Sequence, residues 1–149
     1  MQVQYGAPQD ISLWMSLVRE IAWNFPGLET ESSLLDHQST VLRFMGKQQA
    51  LCVKADHRIV GVLLFSRGHN MICCLGVHPD FRRQGIASAL LTTALRELDA
   101  SRPITVSTFR DGDAKAPAPR ALYQKFGFRP ADLIEEFGYP NQLFIKNPE

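Results

Sequence analysis

Met71-Ile72-Cys73-Cys74-Leu75-Gly76-Val77-His78-Pro79-Asp80-Phe81-Arg82-Arg83-Gln84-Gly85-Ile86-Ala87, continued by the apolar-striped stretch to Leu98, decides the fold. It begins as an apolar run, Met71 to Val77, of a length that suits a buried strand. Pro79 then stops it, because proline has no N–H to give to a ladder and its ring disfavours the α region at His78. From about Arg83 the pattern takes a helical period, with Ile86, Leu90, Leu91, Ala94, Leu95 and Leu98 on one face and Thr93, Arg96, Glu97 and Asp99 mostly off it. Gly85, in the join between strand and helix, leaves no Cβ between the backbone and whatever lies across the helix mouth. Free N–H groups of a first helical turn, the positive end of the helix dipole and the adjacent Arg82 and Arg83 all favour a phosphate there. The dipole itself contributes about 0.3–1 kcal/mol, rising to 2 when partly buried, so aligned N–H donors must do most of such binding.

Outward from that stretch, the elements alternate. Val3 to Tyr5 suits a short strand. Pro8-Gln9-Asp10 reads as a helix start with Asp10 able to cap, ahead of the apolar stripe Ile11, Trp14, Met15, Leu17, Val18, Ile21 and Ala22. Asn24-Phe25-Pro26-Gly27 ends that helix. A second helix is expected from about Thr30 to Phe44, with acids at its start (Glu29, Glu31) and bases at its end (Arg43, Lys47) as the dipole prefers. Ala50–Val53 and Ile59–Phe65 read as strands joined by a turn at Asp56-His57-Arg58, the second apolar nearly throughout as in a central strand covered on both faces. Pro103 to Phe109 is β-branched and strand-like. A polar loop, Arg110 to Ala118, leads to a short helix from Pro119 through Lys125, closed by Gly127. Weaker strands follow around Arg129–Phe137 and Leu143–Lys146, with Gly138-Tyr139-Pro140-Asn141 as the turn. The order gives one mixed α/β sheet with helices packed on it.

Composition narrows the function. A chain of 149 residues, 45% hydrophobic, suits one domain with a real core. A net charge of +1 with 21% charged residues offers no basic stripe for nucleic acid, which leaves Arg82-Arg83 weak as a nucleic-acid signal. No apolar run reaches the length of a membrane span, and the first residues lack a signal peptide's charged start and apolar centre. Three cysteines make neither a disulfide framework nor a zinc spacing, so a cytoplasmic home without a metal is expected. Cys73 and Cys74 would point to opposite faces of a regular strand, which lets at most one of them line a cleft. A cysteine nucleophile would also need a base beside it, and none is assignable.

The loop carries a resemblance as well. Arg82-x-x-Gly85-x-Ala87, preceded by Gly76-Val77-His78-Pro79, resembles the acetyl-CoA pyrophosphate loop of the GNAT acetyltransferase superfamily. Ala121-Leu122-Tyr123-Gln124-Lys125-Phe126-Gly127-Phe128 is similar to that family's late helix, and the two motifs stand in the family's order. The likeness covers roughly Ala50 to Phe128. It implies a central, mostly antiparallel sheet with a splayed, bulged strand and helices on both faces. Acetyl-CoA would then be co-substrate, its diphosphate on the loop from Arg82 and Arg83 through Gln84, Gly85, Ile86 and Ala87 to Ser88. The resemblance also implies that the strand before the loop pairs its exposed backbone with the pantetheine arm. Gly76 suits the bulge, leaving Leu75 and Val77 to pair with the cofactor.

Tyr123 occupies the position where the family commonly places a tyrosine close to the sulfur. Its hydroxyl, of ordinary pKa near ~10, can give a proton to the departing thiolate as general acid. Many relatives have an asparagine seven residues earlier; here that place holds Ala116, onto which no cofactor contact is carried. The general base stays open. An alkylamine of pKa ~10.4 needs about 4–5 kcal/mol to expose its lone pair at neutral pH. Yet Met71 to Leu75 holds no carboxylate, leaving His78, His69, Asp111, Glu135, Glu136, a water chain or an acceptor that arrives neutral. The resemblance thus implies N-acetylation of a primary amine on a small molecule or peptide by direct transfer, with a homodimer allowed. Trp23, Phe25 and Phe44 could line the acceptor side, or be core. A non-catalytic acyl-CoA-binding or regulatory module is the rival that the missing strand carboxylate keeps open.

Overall fold

The computed structural model describes Gln2 to Glu149. Its elements run β1 (Val3–Tyr5), α1 (Ile11–Ile21), α2 (Glu31–Gly46), β2 (Ala50–Ala55), β3 (Arg58–Ser66), β4 (Met71–Val77), α3 (Ile86–Glu97), β5 (Ile104–Phe109), α4 (Pro117–Lys125), β6 (Arg129–Glu136) and β7 (Tyr139–Lys146). The strands form one seven-stranded sheet in the order β1-β2-β3-β4-β5-β7-β6. Every neighbouring pair is antiparallel except β4 and β5.

Local chemistry accounts for the joins. The Thr30 hydroxyl accepts the Ser33 N–H at 3.0 Å and the Ser33 hydroxyl accepts the Thr30 N–H at 3.1 Å, a reciprocal cap that starts α2. Asp56 and His57 both take positive φ, 52° and 62°, which gives the β2–β3 hairpin a turn whose twist matches its strands. Asp10 does not cap α1 forward. A short 3-10 turn (Pro8–Asp10) precedes the helix, and the Asp10 carboxylate reaches back to the Ala7 N–H at 2.9 Å and across to the Lys54 ammonium at 2.8 Å.

Helices cover both faces of the sheet. One core gathers α3 residues Ile86, Leu90, Leu91 and Ala94 and α4 residue Tyr123 against Leu51, Leu63, Phe65, Ile72, Val106 and Phe144. The other gathers α1 and α2 residues Trp14, Val18, Ile21, Leu34 and Val41 against Ala50, Cys52, Ile59, Val62 and Leu64. The run from Ile59 to Phe65 is buried throughout, as a central strand between two helical layers must be.

Several features differ from the pattern-based expectation, among them the start of α4 at Pro117 rather than Pro119. The helix expected from about Arg83 begins at Ile86, because Arg83 and Gly85 hold φ of 63° and 78°, outside the helical region. The last turn sits at Phe137-Gly138 rather than Gly138–Asn141, so Tyr139, Pro140 and Asn141 are strand residues. Pro140 is tolerated because the β5–β7 ladder ends at Asn141, opposite Phe109, and asks no N–H of it. The bulge falls at Cys73 and not at Gly76: Leu64 faces Cys74 and Phe65 faces Ile72, which leaves Cys73 unpaired, while Gly76 sits in regular register with Val62.

Candidate active site

The bulge and the parallel seam together open the sheet. β4 and β5 share one paired position, Met71 with Thr105, and the Thr105 N–H bonds the Asn70 carbonyl at 3.3 Å. Beyond it the strands diverge. At the far end the His78 N–H bonds the Val60 carbonyl at 2.8 Å, so the backbone groups of Gly76 also turn toward β3. Those of Leu75 and Val77 turn the other way, into the gap left by β5. They are polar groups on an unpaired strand edge, the arrangement an extended ligand can complete as an added strand. Gly76 has a different duty from the one expected of it. A Cβ there would come within 2.6 Å of Ile21 Cδ1 and 3.1 Å of Phe25 Cζ, so glycine admits the end of α1 and the following connection onto the strand.

At the open end of β4 lies the loop. Pro79–Phe81 forms a short 3-10 turn, and Arg82, Arg83, Gln84 and Gly85 lie exposed before α3. The first backbone N–H of this segment to find a backbone partner within α3's entry is that of Ala89, on the Gly85 carbonyl at 2.9 Å. From Arg83 through Ser88 the N–H groups have no backbone acceptor among the described residues. The alternation of left-handed Arg83 and Gly85 curls these donors into a concavity of the kind that takes anions. A Cβ on Gly85 would meet nothing within 4 Å, so the space before the helix mouth is open.

His78 is not free to act as a base. Its Nδ1 accepts the Asp80 N–H at 3.1 Å, which leaves the proton on Nε2, and Nε2 lies 2.5 Å from Glu20 Oε2 on α1. The residue is buried and its ring meets Phe81 edge-on at 5.7 Å. It fastens the loop to α1.

Tyr123 comes up from α4 beneath the gap. Its ring packs edge-on against Phe128 at 5.7 Å and at a tilt against Phe144 at 6.4 Å. Burial pushes its hydroxyl well above the ordinary tyrosine range, and the nearby Cys74 thiol adds to the shift. It therefore keeps its proton across the neutral range. No protein group within the described residues takes a hydrogen bond from it. Ala116 is buried at the start of α4, its N–H on the Asp113 carbonyl at 3.0 Å, and is part of the scaffold.

The bulge also resets the cysteines. Ile72 faces the α3 core and Cys74 the α1 side, whereas in a regular strand the two would share a face; the expectation of opposite faces for Cys73 and Cys74 held for a regular strand, which the bulge interrupts. The Cys74 thiol is pushed up to about 12 by burial, with Cys73 beside it contributing. The Cys73 thiol is raised to about 11 by partial burial and by the Glu136 carboxylate. Both are thiols, not thiolates, at neutral pH.

Glu136 brings a group that the sequence pattern left among the lesser candidates. It ends β6, opposite Tyr139 of β7. The Ser107 hydroxyl of β5 donates to its Oε1, and so does Asn141 Nδ2 of β7 at 3.0 Å. Three strands thus fix one carboxylate at the edge of the gap. His69 lies instead at the β3–β4 turn with its Nδ1 3.2 Å from the Ser66 hydroxyl, and Asp111 and Glu135 are exposed. On the α1 side a cavity of about 360 Å³ is lined by Trp23, Phe25, Glu29, Lys115 and Tyr139 among others. Trp23 is thus a wall residue and no part of the core, Phe25 packs at the core's margin, and Phe44 belongs with the α2 core.

Known proteins share both the sequence and this architecture. The family model of the GNAT acetyltransferase domain matches residues 46–130, from the end of α2 to the start of β6. An acetyltransferase of Pectobacterium atrosepticum is 28% identical over 128 residues, spanning 83% of this chain and 82% of that protein. An N-acetyltransferase of Staphylococcus aureus Mu50 superposes with a TM-score of 0.75 at 15% identity, over 97% of this chain and 100% of the other. The PaiA N-acetyltransferase of Thermoplasma acidophilum, solved in complex with coenzyme A, gives 0.73 at 16% identity over 98% of each chain. Those two share the fold, while the family model reads the chain itself through loop, long helix and late helix: the chain belongs to the GNAT acetyltransferase family.

Proposed function

We propose that the protein transfers the acetyl group of acetyl-CoA directly to a primary amine, within a complex that holds both substrates. One observation carries this reading. The gap between β4 and β5 joins the unengaged N–H groups of Arg83 to Ser88 at its mouth to the protonated Tyr123 at its base. The residues fit acetyl-CoA: a diphosphate meets the loop donors and the flanking Arg82 and Arg83, and an amide-bearing arm meets the free backbone edge of Leu75 and Val77. An acetyl thioester at the end of that arm would lie near Tyr123.

In the reaction the amine nitrogen attacks the thioester carbonyl carbon. A C–N bond forms, the C–S bond breaks, and the sulfur leaves with the Tyr123 proton as CoA thiol. The amine gives up the matching protons, so acetyl-CoA and an ammonium yield the amide, free CoA and one released proton. The un-ionised states of Cys73 and Cys74 support direct transfer over an acetyl-cysteine intermediate. An acceptor panel followed by thiol release from acetyl-CoA tests the proposal. Turnover of an amine is expected; thiol release that never depends on an added amine counts against it.

A further inference from the structure

Glu136 and the aromatic cavity beside it describe the acceptor. The carboxylate's Oε1 is occupied by the Ser107 hydroxyl and by Asn141, while its Oε2 meets no donor and no cation among the described residues. An amide that donates to a carboxylate must point its own oxygen elsewhere, and Asn141 Oδ1 is buried without a partner. That cost is borne at the residue that holds Glu136 in place.

Next to Glu136, across the β6–β7 pair, Tyr139 opens the wall of the 360 Å³ cavity. Its ring meets Phe109 edge-on at 5.9 Å, and Trp23, Phe25, Pro26 and Leu28 complete the apolar lining. The cavity's charged groups offset each other: Lys115 lies over the Phe109 and Tyr139 rings, with Glu29 close enough to feel its charge. The rim is aromatic at a cost to folding. Trp23 is 62% exposed and Phe137 is 81% exposed. Phe137 also holds φ of 53°, uncommon for a bulky residue, and its ring covers Gly27, where a Cβ would fall 2.7 Å from Phe137 Cγ. Exposed aromatic residues that add little to either core, one of them on a strained backbone, are spent on contact with something else.

We infer that the acceptor is a primary amine borne on an apolar or aromatic body, its ammonium on Glu136 and its body between Trp23, Phe25 and Tyr139. This rests on the acetyltransferase reading above. Glu136 Oε2 accepts the ammonium proton, the neutral amine attacks, and the carboxylic acid so formed returns its proton to water. A polyamine finds mostly aromatic wall here, since the cavity's own carboxylate, Glu29, accepts the Gly27 N–H and stands near the Lys115 charge.

The test uses the full chain with acetyl-CoA and three acceptors, 2-phenylethylamine, ethylamine and spermidine. The expected kcat/KM for 2-phenylethylamine is at least tenfold above the other two. Trp23→Ala should raise its KM several-fold with kcat held and with ethylamine unaffected. Glu136→Gln should lower kcat at least hundredfold at pH 7 and recover as pH approaches the amine's own pKa, with acetyl-CoA affinity unchanged. A preference for spermidine or ethylamine, or a Glu136→Gln variant within twofold of wild type at every pH, overturns this inference and leaves acetyl transfer standing. Failure of every amine with the wild type overturns both.

Discussion

Tyr123 and Glu136 reach the gap from opposite faces of the sheet, one from α4 and one from β6, with the cysteines of the bulge between them. Their readability differs for a physical reason. Tyr123 lies inside a compact motif whose helix is set by local sequence. Glu136 gains its position from partners 29 residues upstream on β5 and 5 residues downstream on β7, a pairing that depends on where the last turn falls. Gly138-Tyr139-Pro140-Asn141 looks like turn chemistry, and reading it so removes Asn141 from the strand that holds Glu136. Because burial keeps Tyr123 protonated, its role as acid predicts no descending limb in kcat below about pH 10. Tyr123→Phe keeps the ring packing and removes the proton, so kcat should fall about 10²–10⁴-fold with acetyl-CoA affinity nearly intact. Equal rates for the two proteins at all pH values would remove Tyr123 from the chemistry. The cysteines predict the reverse: Cys73→Ala and Cys74→Ala should each keep turnover within several-fold, and mass spectrometry of quenched enzyme should find no acetylated thiol.

At the scale of elements, the strand–loop–helix unit was legible from Pro79, Gly85 and the period of Ile86 to Leu98, whereas its two irregularities were not. No side chain announces that Arg83 takes a left-handed backbone, or that Cys73 is the extra residue in the ladder. The bulge belongs to the β3–β4 register, and the left-handed Arg83 to the loop beyond it. Gly85→Val meets no atom within 4 Å, so the variant has room, but φ of 78° strains it by about 1–2 kcal/mol and the side chain enters the space before the N–H donors. At least a tenfold loss in acetyl-CoA affinity is expected from calorimetry on the folded variant; unchanged affinity would detach the loop from the cofactor. The free edge makes a separate prediction for hydrogen exchange. Adding CoA should slow the amides of Leu75 and Val77, which face the gap, and leave that of Gly76, already turned to β3, as it was.

The whole molecule is two half-sheets, β1 to β4 and β5 to β7, and what joins them at the closed end is Asn70. Its Nδ2 donates to the carbonyls of Asp99 and Pro103, each at 3.0 Å, and its Oδ1 accepts the Asp99 N–H at 2.8 Å. Its own carbonyl takes the Thr105 N–H, and its φ of 51° is one asparagine tolerates better than most residues. This buried side chain thus ties the β3–β4 turn to the α3–β5 loop at the point where the strands begin to part. Loss of the amide strands several buried backbone groups, each worth about 1–3 kcal/mol when left unpaired. Asn70→Ala should lower Tm by about 5–10 °C for a chain of this size. Asn70→Asp keeps the shape but sets a carboxylate against two carbonyls, so it should be no milder than alanine. A ligand lying in the gap touches both halves, and saturating acetyl-CoA at about 100 times its Kd should return roughly 2.7 kcal/mol to wild type. If Asn70 sets the spacing of the gap, both variants recover less than wild type at the same acetyl-CoA concentration, because their Kd is weaker. A variant that melts at the wild-type temperature, or that gains as much from acetyl-CoA as wild type does, would show that the seam is held elsewhere.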